Sequence, residues 1–173
     1  HFASETGYRG FPSPKSLEKF LKHPEKIFKA DGVATDEYLV HAAGMELDKN
    51  APYAYRIKLA YDQVVTLFGK AEDEFGEFVR QSQISQAEAK KYFVEKFRIG
   101  KWKRTGIIWW NLLDGWPQIS DAVVDYYYNR KLAYHYIKRS QQPVVLAFDE
   151  PETDTAMTLY GINDTTKDVT VSY

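Results

Sequence analysis

Apolar residues along this chain follow two periods, and the change from one to the other divides it. Ile57, Ala60, Tyr61, Val64, Val65 and Phe68 recur at helical spacing, after an N-cap candidate at Asn50 and a Pro52 near the start, and stop at Gly69. Phe75, Phe78, Val79, Ser82, Ala89, Phe93 and Phe97 keep to one face of a longer helix over 73–99, ended by Gly100. The middle of that helix, Gln81-Ser82-Gln83-Ile84-Ser85-Gln86, is unusually polar for a buried stripe. Shorter helical turns are predicted at 16–21, with Ser16 as cap, and at 35–43, capped by Thr35. Residues 129–140 predict another helix, with Leu132, Ala133, Tyr136 and Ile137 inward and Pro143 closing it.

Strand signals interrupt this pattern at three places. Residues 1–5 read as the end of a strand that runs into a loop punctuated by Gly7, Gly10, Pro12 and Pro14. Residues 105–110, Thr105-Gly106-Ile107-Ile108-Trp109-Trp110, form a short β-branched and aromatic run that predicts a strand buried on both faces. A turn follows at Asp114-Gly115-Trp116-Pro117. From Val144 the period falls to two, through Val144, Leu146 and Phe148, then Met157, Leu159 and Gly161, then Val169, Val171 and Tyr173. Turn residues at 149–154 and 163–168 separate these three antiparallel strands.

Strand, long helical excursion, strand, helix is the order of parallel α/β structure, in which each strand feeds a helix that covers the sheet. Two strands do not make a stable parallel sheet. A complete (β/α)8 barrel takes roughly 250 residues and an immunoglobulin-like sandwich about 100, against 173 residues here. The expected fold is therefore α/β: the C-terminal portion of a TIM (β/α)8 barrel with helical excursions over residues 1–142, followed by the first strands of an immunoglobulin-like β-sandwich over 143–173. Such a piece of a larger enzyme would expose strand edges, and self-association through them is expected.

Composition narrows the chemistry. Lys+Arg 23 against Asp+Glu 24 gives a net charge of −1, with no basic stripe for nucleic acid or an anionic membrane. The chain has no cysteine, which excludes disulfides, thiolate zinc sites and cysteine nucleophiles. His1, His23, His41 and His135 lack metal-ligand spacing, so no metal or organic cofactor is expected. The longest apolar stretch, 105–113, is far below the roughly 18 residues of a membrane span, and no signal peptide is recognisable at the start. Asn163-Asp164-Thr165 matches a glycosylation acceptor, but a hairpin loop explains it fully. Four tryptophans, thirteen tyrosines and ten phenylalanines are many for a core of this size. They fit either a carbohydrate site or a tyrosine-rich interior.

Phe2-Ala3-Ser4-Glu5-Thr6-Gly7, then Gly10-Phe11-Pro12-Ser13, and about a hundred residues later Trp109-Trp110-Asn111-Leu112-Leu113-Asp114-Gly115-Trp116-Pro117-Gln118 together resemble glycoside hydrolase family 2, and its β-mannosidase branch in particular. Ser82-Gln83, Gln86-Ala87, Asp125-Tyr126-Tyr127 and Lys131-Leu132-Ala133-Tyr134-His135-Tyr136 extend the resemblance over most of the chain. It implies that Glu5, at the end of barrel strand seven, is the nucleophile of a retaining glycosidase acting on terminal β-linked sugars. It also implies that Trp110 stacks beneath the sugar, that Asn111 and Asp114 bind hydroxyls, and that Trp116 walls the pocket. Asn111 stands where the mannosidases typically have Gln, and Leu113 where they have Asn. The acid/base of that family sits in an Asn-Glu pair, and no Asn-Glu dipeptide occurs here. On this reading the chain carries the nucleophile without the acid and is inactive alone, its partners being a β-linked glycoside and the remainder of a parent enzyme. The β-galactosidase, β-glucuronidase and exo-glucosaminidase types remain alternatives, as does a non-catalytic sugar-binding or scaffold role.

Overall fold

The computed structural model describes residues 1–28, 32–44, 52–150 and 156–172. Strand β1 (Phe2–Gly7) leads through a loop to α1 (Pro14–Leu17), a 3-10 turn (Pro24–Lys26) and α2 (Asp36–His41). Helices α3 (Tyr55–Phe68) and α4 (Phe75–Ile99) follow, then β2 (Gly106–Trp110), α5 (Leu132–Ser140), β3 (Val144–Asp149) and β4 (Thr158–Asn163). The result is mixed α/β, with β1 and β2 parallel and β3 and β4 an antiparallel pair. Among the described residues no helix is long and apolar enough to cross a membrane.

The helices form for the reasons their sequences suggest. Gly69 ends α3 in the left-handed region at φ 79°, which a residue without a Cβ adopts freely. Thr35 caps α2 by accepting from the Tyr38 amide. The first cap differs from expectation. Ser13, not Ser16, caps α1, because Pro14 supplies the fixed φ of a first helical position. Ser16 is instead buried and donates to Asp125. The Asn50 cap lies outside the described residues.

Aromatic rings fill the larger core. Phe11 stacks on Tyr38 at 5.9 Å and meets Phe78 edge-on at 5.2 Å, with Phe28 against both Tyr38 and Phe78. Leu17, Leu21, Val64, Val79 and Ile119 close around them. A second cluster joins Ala87 of α4 to Val123 and to Ala133 and Ile137 of α5, with Trp109 packed against it.

Two strand expectations are corrected. β2 is not buried on both faces: Ile108 is 53% and Trp110 49% exposed, with β1 its one strand partner among the described residues and α4 packed against it. The three-stranded antiparallel sheet is a two-stranded hairpin among the described residues, with no strand over 169–172. Within it the parity also differs. Ala147 and Ile162 are buried, whereas Phe148 is 56% exposed.

Candidate active site

β1 and β2 run side by side with Thr6 opposite Trp109 and Gly7 opposite Trp110, and the register shifts between Ala3 and Thr6. Ser4 and Glu5 occupy that irregularity, and the Glu5 side chain is exposed. Alternation along β2 sends the two indoles apart: Trp109 enters the core and Trp110 stays half exposed. An open carboxylate and an open indole therefore sit at the C-terminal ends of neighbouring parallel strands.

The chain leaves β2 through a cis peptide between Trp110 and Asn111. The Asn111 carbonyl then accepts from the Val123 amide at 3.1 Å, and its side-chain oxygen is buried without a hydrogen-bond partner. Trp116 is 43% exposed and stacks on His41 at 5.8 Å. His41 is fixed in turn by a 2.9 Å contact between Nδ1 and the Pro117 carbonyl. Of the five residues singled out in the sequence, four thus show at least part of their surface on or beside the strand ends.

Asp114 is the exception. It is 2% exposed, and its Oδ1 accepts from Gln118 at 2.9 Å and from the Ser120 hydroxyl. Its Oδ2 lies 3.8 Å from the Lys131 ammonium. Burial raises the Asp114 carboxyl above the usual range, with Lys131 and then Ser120 and Gln118 pulling it back. In this arrangement the side chain secures the turn after β2 from within.

Beneath the strand ends lies a set of buried polar groups. Gln86 donates from its amide to the carbonyls of Tyr8, Asp121 and Ala122 at 3.0, 3.0 and 3.2 Å. A Cβ on Gly10 would run into the Gln86 side chain, so only glycine lets the backbone pass so close. Lys131, with no surface, donates to the Gly10 carbonyl at 2.7 Å, and burial pushes its ammonium down to about 8 despite Asp114, Asp125 and Asp121 nearby. Asp125 accepts from Ser16 at 2.6 Å and from the amides of Tyr127 and Asn129 at 2.9 Å, shaping the Tyr126-Tyr127-Tyr128 turn. Asp121 stands beside the end of β1, where a Cβ on Gly7 would lie 3.1 Å from its carboxylate. Gln86, Lys90, Lys131 and Asp121 were not singled out as site residues from the sequence; Gln86 and Lys131 enter it as part of the resemblance, and Gln86 also as part of the polar middle of α4. Among the described residues, no three His, Asp or Glu side chains converge as a metal site requires.

Known proteins resemble this chain over most of its length. No family-wide sequence profile matches it. A β-mannosidase B of Thermothelomyces thermophilus is 29% identical over 153 residues, covering 83% of this chain and 16% of that protein. The β-mannosidase of Capra hircus is 22% identical over 175 residues, covering 96% and 18% respectively. The crystal structure of the β-D-mannosidase of Dictyoglomus thermophilum superposes with a TM-score of 0.75 over 95% of this chain, at 24% identity. The chain thus resembles β-mannosidases, which supports a fragment of the glycoside hydrolase family 2 type. An exo-chitosanase of Amycolatopsis orientalis shares the fold too, with a TM-score of 0.72 at 20% identity over 95% of this chain. The β-mannosidase-like chain spans 16% to 18% of the length of these relatives.

Proposed function

We propose that this chain is the nucleophile-bearing segment of a retaining exo-β-glycosidase, with β-mannosides as its first substrate class. Residues 1–142 would be the C-terminal part of its (β/α)8 barrel and 143–173 the start of an immunoglobulin-like domain. The observation that carries the reading is the juxtaposition of Glu5 and Trp110: an exposed carboxylate and an exposed indole on adjacent parallel strands, at the end where barrel enzymes hold their chemistry. In the retaining reaction the Glu5 carboxylate attacks the anomeric carbon while the glycosidic oxygen leaves with a proton from an acid about 5 to 5.5 Å away. That acid would come from the rest of the barrel. Water, deprotonated by the same group, then attacks the anomeric carbon, and the ester bond to Glu5 breaks.

The Trp110 face supplies an apolar platform for the C–H side of the sugar ring and excludes water from the oxocarbenium-like transition state. Asn111 would meet a hydroxyl, Trp116 would bound the site, and Asp114 would contribute by holding the turn between them. Because Asn111 and Leu113 depart from the mannosidase pattern, the test uses aryl β-mannoside, β-galactoside, β-glucuronide and β-glucosaminide in parallel. In the intact enzyme, Glu5→Gln should abolish turnover of the preferred substrate and keep sugar binding. Retained turnover in that variant overturns the assignment of Glu5. Expressed alone, the chain should turn over none of the four and should self-associate through the open edges of β1 and β2, measured by analytical ultracentrifugation.

A further inference from the structure

Lys90 has no exposed surface, although lysine is among the residues least often buried. Its position, one turn beyond Gln86 on α4, would accept an apolar side chain at lower cost, since moving an ammonium out of water is expensive unless it is well paired. It makes a 2.5 Å hydrogen bond to the Trp110 carbonyl and lies 5.7 Å from the Trp109 ring. Asp121 favours its charge and Lys131 opposes it, while burial brings the ammonium down to about 8. The carbonyl it holds belongs to the peptide that joins Trp110 to Asn111. Fixing that oxygen fixes the plane from which both side chains project. Gln86 ties both Tyr8, which follows β1, and Asp121 and Ala122, which follow β2, to the same helix.

We propose that Lys90 is a positioning residue of the sugar site, which sets the Trp110 ring and the Asn111 side chain against the substrate through the carbonyl between them. The inference rests on the functional reading above. Lys90 touches no substrate, and its contribution is to the placement of two groups that do.

The test compares Lys90→Met with the parent in the intact enzyme, using the preferred aryl glycoside, thermal unfolding and the indole N–H resonance of Trp110 assigned with Trp110→Phe. Methionine fills the volume and removes the donor. Loss of a charge-assisted hydrogen bond that aims a stacking platform should raise KM about tenfold while kcat changes less than about threefold. The Trp110 resonance should move and the melting temperature should stay within a few degrees, because a buried charge is replaced by an apolar group. An unchanged KM overturns the proposal, as does a KM that rises only in step with lost stability. If Lys90→Met does not fold, Lys90→Gln takes its place. A raised KM at the parent's melting temperature then supports the proposal, and an unchanged KM overturns it. Should the parent hydrolyse none of the glycosides, the functional reading fails by itself. Lys90 is then judged on the resonance alone, where a moved signal supports its hold on Trp110 and an unmoved one refutes it.

Discussion

The strand ends around Glu5 and Trp110 are fastened to α4 from inside, by Gln86 and Lys90, whereas the β3–β4 hairpin is fastened to the C-terminal part of the same helix from outside. There Arg98 pairs with Asp164 at 2.7 Å, Lys101 pairs with it at 2.9 Å, and Lys96 meets Asp149. The inner bonds end on backbone carbonyls alone, whereas the outer side chains are shared between half-exposed carboxylates and carbonyls such as those of Glu150 and Asn163. A buried polar group that loses its partner suffers the full desolvation penalty, while an exposed ion pair contributes little and is weakened by salt. One helix thus holds a single-valued cradle at its middle and an adjustable joint at its end.

The largest effect should come from breaking the inner fastening. Gln86→Leu keeps the volume but leaves the Tyr8, Asp121 and Ala122 carbonyls without that donor, and should cost about 3 kcal/mol in urea unfolding. A loss below about 1 kcal/mol would make the cradle no stronger than the joint. Changing pH should act on a similar scale. Lys90 and Lys131 are held near 8 in the folded chain against an ordinary 10.5, so between pH 8 and 10 the unfolded chain binds more protons and stability should rise with pH. Above pH 10 the direction turns. The Tyr38 phenol, pushed up to about 12 by burial, keeps its proton when folded and loses it when unfolded. Denaturation at stepped pH checks both limbs, and Lys131→Met should flatten the first.

The smallest effect belongs to the joint. Asp164→Ala should cost no more than about 1 kcal/mol and should speed amide exchange in β3 and β4 without altering exchange in β1 and β2. High salt should mimic it. So should acid, because Lys101 first, and then Arg98, holds the Asp164 carboxyl below its ordinary range. The pairing it gives is present at neutral pH and is lost as pH falls through that lowered value. Equal acceleration in both sheets would erase the distinction between the two fastenings.

The features that were legible in the sequence depend on near neighbours. Spacing of three and four places Ala60, Val64, Phe78, Val79, Ala133 and Ile137 on buried helix faces, and Gly69 and Gly100 mark the ends. The opposite directions of Trp109 and Trp110 follow from strand geometry alone. What periodicity misses is set by distant residues. Ser16 looks like a cap until Asp125, 109 residues away, claims its hydroxyl. The polar run in α4 looks unfit for burial until backbone from three loops turns in to meet it. Asp114 resembles a solvent-facing turn residue, and only the arrival of Lys131 and Ser120 explains its place inside. In the hairpin, the apolar alternation of Leu146 and Phe148 is real, but the buried position is Ala147 instead.

The register of β1 against β2 pairs Phe2 with Gly106. α4 and α5 pack together across the segment that contains β2, and Lys131 reaches back to the Gly10 carbonyl. Closing the loop between residues 2 and 106 is entropically expensive, and its reward comes only when both strands are aligned. The strand that bears Glu5 is synthesised before β2 and must wait for it. Any delay in this strand pairing is therefore a delay in bringing Glu5 and Trp110 onto neighbouring strands.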